Sequence, residues 1–148
     1  MKYLRLFIVL LIVLTGCCAS KSGNKNSIHT FKINSTGELK EFFSYSSDRI
    51  PFICAHRGGS RETFPENCIA TFENTLSKVH AMIEVDPRYT KDSVIVLMHD
   101  PILDRTTSGT GRVSDYTYEE LKALRLKDTE GNITGHRIPT LDEALEWA

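Results

Sequence analysis

The run Val94 to Met98 (VIVLM) contains no polar residue and stops at His99-Asp100-Pro101. A short run of this kind reads as a strand buried on both faces, the mark of a parallel sheet covered by helices. Two similar runs precede it. Phe52 to Ala55 halts at His56-Arg57-Gly58-Gly59 and reads as a buried strand. Met82 to Asp86 (MIEVD) is a second strand, extended by Arg88 to Thr90 before a turn at Lys91-Asp92-Ser93. Between these two, Pro65-Glu66-Asn67 opens a helix with Ile69, Phe72, Leu76 and Val79 on one face. Ser35 to Tyr45 forms a short helix with Leu39, Phe42 and Phe43 on its apolar side. Thr117 with Glu120, and Thr140 with Glu143, form capping boxes that start two further helices. The order strand, helix, strand, strand, helix, helix predicts an α/β protein with a parallel sheet, its chemistry at the C-terminal ends of the strands.

Charge narrows the partners. Lysine and arginine number 18 against 19 acidic residues, so no basic stripe for nucleic acid is expected. The first residues form a separate unit. Lys2 and Arg5 precede an apolar stretch ending at Leu14, too short for an ordinary membrane span. Leu14-Thr15-Gly16-Cys17 resembles the bacterial lipobox; the alternative is an ordinary secretory signal cleaved nearby. The lipobox reading makes residues 1–16 a lipoprotein signal peptide, Cys17 the lipidation site, residues 17–30 a flexible tether and residues 31–148 the folded domain. It places the protein in a bacterial cell envelope, anchored to a membrane and facing the periplasm or the exterior. Export permits a disulfide between Cys54 and Cys68, but spacing cannot establish the geometry for one, and two semi-buried thiols are expected.

His56, the pair Glu84 and Asp86, and His99 all fall at strand ends. Glu84 and Asp86 are two apart on a strand and point to one face, where hard oxygen ligands suit calcium or magnesium. Read alone, they are also two solvated acids at a strand end, and His56 is also a core histidine beside a turn. Asp100 can orient the His99 ring or cap the next turn. Two histidines can divide the proton transfers of phosphodiester hydrolysis, while an arginine and a divalent ion neutralise the phosphoryl oxygens.

The ordered set His56-Arg57-Gly58, Pro65-Glu66-Asn67, Glu84-x-Asp86, Thr90-Lys91-Asp92, His99-Asp100, Arg105-Thr106-Thr107, Gly111 and Ile138-Pro139-Thr140-Leu141-x-Glu143 resembles the glycerophosphodiester phosphodiesterases. The resemblance implies a (β/α)8 TIM barrel of the phospholipase-C-like type, of which residues 31–148 are the N-terminal part. It implies hydrolysis of small-molecule glycerophosphodiesters to an alcohol and glycerol 3-phosphate with a bound Ca2+ or Mg2+ ion. Attack is by a glycerol hydroxyl through a cyclic phosphate, or directly by water. His56 and His99 match the general acid/base pair, Arg57 the phosphate-binding arginine, and Glu84 and Asp86 two metal ligands. A further glutamate ligand has no counterpart here. Pro87 stands where the family usually has an apolar residue, Cys68 where it has threonine, and the turn at Asp92-Ser93 lacks the family's common glycine. A full barrel takes about 250 residues, so the expectation is a fragment of a longer protein, or a truncated product, unstable and inactive alone. Two alternatives are a lipid-anchored, non-catalytic module that binds a phosphate ligand, and a phosphodiesterase of the same fold acting on a lysophospholipid or phosphoinositide.

Overall fold

The computed structural model describes residues 31–148. The expected signal peptide, the expected lipidation site at Cys17 and the expected tether lie outside the described residues. The elements are α1 (Thr36–Phe43), β1 (Ile53–Ala55), α2 (Ile69–Leu76), β2 (Ala81–Ile83), β3 (Pro87–Tyr89), β4 (Ile95–Leu97), α3 (Tyr118–Leu121) and α4 (Leu141–Trp147).

β1 and β2 pair in parallel, with Cys54 opposite Met82, and α2 connects them in a βαβ unit. The expected second strand is not continuous. It ends at Ile83, and Pro87–Tyr89 forms a separate strand that pairs antiparallel with β4. The sheet is therefore not wholly parallel. An apolar run carries no record of its partner's direction, and a turn as short as Lys91-Asp92-Ser93 can join only antiparallel strands. The chain crosses from one ladder to the other between Glu84, whose N–H donates to Ala55 O at 3.1 Å, and Asp86, whose carbonyl accepts from Met98 N at 2.7 Å. Both carboxylates thus flank the crossover.

β4 is buried on both faces. Val96 and Met98 enter one apolar cluster with Cys68, Leu103, Val113, Leu121, Leu126 and Ile138. Leu97 enters the other, with Phe72 and Ala144, and with the half-buried Ile83, Val85 and Trp147 packed against them. Burying a leucine fully contributes roughly 1.5–3 kcal/mol, so the residue that follows β4 leaves a well-anchored strand. On the far edge of β4, Leu97 N donates to Pro139 O at 2.9 Å, just before α4. Both capping boxes form: Glu143 N donates to Thr140 Oγ1 at 3.0 Å, and Thr140 N donates back to Glu143 Oε2 at 2.8 Å. Thr117 and Glu120 make the same reciprocal pair.

β1 is not the buried strand its composition suggests. Ile53 is 50% exposed and Cys54 is exposed, because among the described residues β1 pairs with β2 alone. Cys68 is buried, and both are free thiols. α1 is capped by Ser35, whose Oγ accepts from Glu38 N at 3.1 Å. Its Phe42 ring stacks on Phe52 at 4.5 Å between centroids and docks the helix at the start of β1, while Leu39 and Phe43 stay exposed.

Two backbone positions set the loops. Gly58 has φ +86°, and a Cβ there would lie 2.4 Å from Phe72 Cδ1. Only glycine lets the turn after β1 rest on α2. At the β3–β4 turn Ser93 has φ +63° with no glycine to relieve it. A left-handed non-glycine residue costs roughly 1–2 kcal/mol, partly offset in a glycine variant by chain entropy. Ser93→Gly is expected to stabilise the protein by about 0.5–1 kcal/mol in chemical denaturation; a loss of stability would show that Ser93 bears no strain.

Candidate functional site

The turn after β1 delivers His56 and Arg57. Arg57 itself adopts left-handed geometry (φ 51°, ψ 32°), an unusual conformation for a side-chain-bearing residue and one that clusters at functional sites. Its N–H donates to Glu84 Oε2 at 2.8 Å, so the loop after β1 is tied to the carboxylate after β2. His56 is exposed, and its ring makes no hydrogen bond among the described residues.

The turn at Pro65-Glu66-Asn67 holds the rest. Asn67 is buried, also has positive φ (54°), and donates its N–H to Arg57 O at 2.9 Å. Its side chain pairs reciprocally with Asp86: Nδ2 donates to Oδ2 at 2.8 Å, and Asp86 N donates to Oδ1 at 3.0 Å. Glu66 accepts from Arg57 Nη1 at 3.1 and 3.2 Å, and from Arg105 Nη1 and Nη2 at 3.0 and 2.9 Å. Arg105 Nε donates to Asp100 Oδ2 at 2.6 Å. The other Asp100 oxygen lies 2.7 Å from His99 Nδ1. Arg88 Nε donates to His99 O at 3.0 Å and pins the backbone at the same point.

Electrostatics follow from this chain of ion pairs. Burial pushes the Glu66 carboxyl up, but hydrogen bonds and charge from Arg105, then from Arg57, outweigh it and hold the group below its ordinary value. The hydrogen bond from Arg105, then that with His99, holds Asp100 well below the usual carboxylate range. Glu66 and Asp100 in turn push the Arg105 guanidinium further up, so it stays charged. An ionised carboxylate only accepts, so Nδ1 of His99 must carry the hydrogen and Nε2 is left to exchange a proton.

The structure therefore brings together Arg57, Glu84, Asp86 and, through Glu66 and Arg105, His99. No hydrogen bond ties His56 to them. Glu84 and Asp86 each give one oxygen to a protein N–H, while the other has no partner among the described residues. Two oriented carboxylates with one open oxygen each fit a hard divalent cation. No third His, Cys, Asp or Glu forms a metal-holding cluster with them among the described residues. Arg57 Nε is buried without a hydrogen-bond partner, 3.8 Å from Asp86 Oδ2.

Reading the residues individually did not identify Glu66, Asn67 or Arg105 as site residues. Their motifs are visible in the chain, but the ionic and side-chain partners of Glu66 and Asn67 lie between 9 and 39 positions away. For Asp100 the orienting alternative is the one observed.

Residues 56–148 match the model of the glycerophosphoryl diester phosphodiesterase family. A glycerophosphodiester phosphodiesterase from Caldanaerobacter subterraneus subsp. tengcongensis is 44% identical over 95 residues, covering 64% of this chain and 39% of that protein. The crystal structure of a glycerophosphoryl diester phosphodiesterase from Parabacteroides distasonis ATCC 8503 superposes with a TM-score of 0.81 at 58% identity, covering 82% of this chain and 43% of that one. An Oleispira antarctica phosphodiesterase, solved in complex with the product sn-glycerol-3-phosphate, superposes with a TM-score of 0.59 at 34% identity, covering 66% of this chain and 39% of that one. The chain thus spans about two fifths of the length of these proteins. Its α/β fold is part of a TIM barrel.

Because Asp100 titrates lower when folded than when unfolded, its contribution to stability is complete above its ordinary value near pH 3.9 and is lost as pH falls below it. Asp100→Asn is expected to lower Tm at pH 6, with the difference from the parent narrowing below about pH 4. A constant difference across that range would remove the ion pair from the stability of the fold.

Proposed function

The chain belongs to the glycerophosphoryl diester phosphodiesterase family, and we propose that the protein hydrolyses glycerophosphodiesters to glycerol 3-phosphate and an alcohol. The observation that carries this reading is the joining of Arg57, Glu84, Asp86 and His99 into one hydrogen-bonded site at the ends of β1, β2 and β4. A scattered set of core histidines and surface acids has no reason to converge in this way.

In this reading His56 and His99 are the acid/base pair. One takes the proton from the attacking hydroxyl or water, and the other protonates the leaving oxygen. His99 works through Nε2, since Nδ1 is held by Asp100. Arg57 binds the phosphate, and a phosphoryl oxygen competes with Glu66 for its guanidinium. A divalent ion, Ca2+ or Mg2+, would be held by Glu84 and Asp86 and would neutralise charge on the phosphoryl oxygens. Cys17 as a lipidated terminus would keep this chemistry at the surface of a bacterial membrane. Support for the product comes from the Oleispira antarctica relative, which holds sn-glycerol-3-phosphate.

His56→Ala and His99→Ala are each expected to slow release of glycerol 3-phosphate from glycerophosphocholine by about 100-fold or more. Near-parental turnover in either variant removes that histidine from the pair. A parent protein that binds glycerol 3-phosphate yet releases none from any glycerophosphodiester is instead a binding module. Glu84→Gln is expected to weaken the response of activity to added Ca2+ or Mg2+. An unchanged response excludes Glu84 as a ligand.

A further inference from the structure

Arg105 lies outside the residues that handle phosphate, metal or protons, yet its guanidinium joins the two halves of the site. Its Nε donates to Asp100 at 2.6 Å, and its terminal nitrogens donate to both oxygens of Glu66 at 3.0 and 2.9 Å. Asp100 uses its other oxygen on His99 Nδ1, and Glu66 uses both of its oxygens on Arg57 as well. One planar cation therefore sets two carboxylates, of which one aims the histidine and the other holds the phosphate-binding arginine.

We propose that Arg105 is a positioning residue for the hydrolytic reaction: by fixing Asp100 it keeps the hydrogen of His99 on Nδ1 and leaves Nε2 as the proton-exchanging atom. The inference rests on the hydrolytic reading of the site. Three structural features separate this role from general scaffolding. The Arg105 side chain is 49% exposed and belongs to neither apolar cluster. Among the described residues, its side-chain hydrogen bonds all go to carboxylates that themselves bond His99 or Arg57. The pairing needs the guanidinium fork, since three nitrogens of one planar group donate to three oxygens of two carboxylates, a pattern that an ammonium group cannot reproduce. The His99 ring is itself 43% exposed, so without Asp100 it would be free to turn and to exchange tautomers with solvent.

The test uses the protein carrying this chain, with glycerophosphocholine as substrate. Arg105→Ala is expected to lower kcat by about 10–100-fold, with KM within about threefold of the parent. On a His99→Ala background the same change is expected to add no further loss, because the ring that it positions is gone. Long-range proton–nitrogen spectra should show the neutral His99 ring protonated on Nδ1 in the parent and shifted towards Nε2 protonation in Arg105→Ala. An unchanged kcat with an unchanged tautomer overturns the proposal, as does a loss that persists in full on the His99→Ala background. If the parent releases no glycerol 3-phosphate, the hydrolytic reading and this proposal fall together; if the parent is active and either His99→Ala turns over normally or His99→Ala is inactive while Arg105→Ala is not, the proposal alone falls. Should Arg105→Ala not fold, Arg105→Lys, which keeps the charge and lacks the fork, is read for the same loss of kcat and the same tautomer shift.

Discussion

Glu66 sits between two guanidinium groups, and the placement of the site's other charges follows from it. A half-buried carboxylate is unfavourable unless it is paired, and Arg57 and Arg105 together more than offset its desolvation. Removing either arginine would leave charge incompletely compensated in a partly dry place, which costs more than the pair itself contributes. The clamp therefore holds its members to one geometry. Its neighbour Asn67 extends the same turn to Asp86, so two consecutive residues hold both Arg57, the proposed phosphate ligand, and Asp86, the proposed metal ligand.

The clamp has something rigid to act on. β4 places alternate side chains into two different apolar clusters, and the residue after its last buried methionine is His99. A side chain leaving a strand packed on both faces has little backbone freedom, which is what a positioned acid or base requires. On the opposite side, the turn that carries His56 and Arg57 rests against Phe72 at a glycine with no room for a Cβ. The two proton-handling candidates thus stand on supports of different kinds. His99 is held through backbone, ring and partner carboxylate. His56 is held by its backbone only and keeps an exposed ring.

Much of this arrangement was legible from residue pattern. The unbroken apolar run at Val94 to Met98 implied burial on both faces, and that is what the two clusters show. The spacing of Phe72 and Leu76 marked the inner face of α2, and the Thr-to-Glu spacings marked two helix starts. The division of the second strand was not legible. Pro87 opens β3 opposite Leu97, whose own N–H is turned to Pro139 on the other edge, so the missing proline donor leaves no gap in the ladder. The exposure of β1 was also not legible, since Ile53 and Cys54 look like core residues wherever their partners are.

The sequence by itself determined which residues have reactive chemistry and that they follow short strands, because residue type and local period are properties of adjacent positions. It also carried the ordered motifs that assign the family. The tertiary structure alone decided which charges meet. Glu66 reaches Arg105 across 39 positions, and Arg57 reaches Glu84 across 27. No local pattern encodes such pairings: they exist only once packing of α2 and β4 brings the loops into hydrogen-bond range, where energies fall steeply with distance.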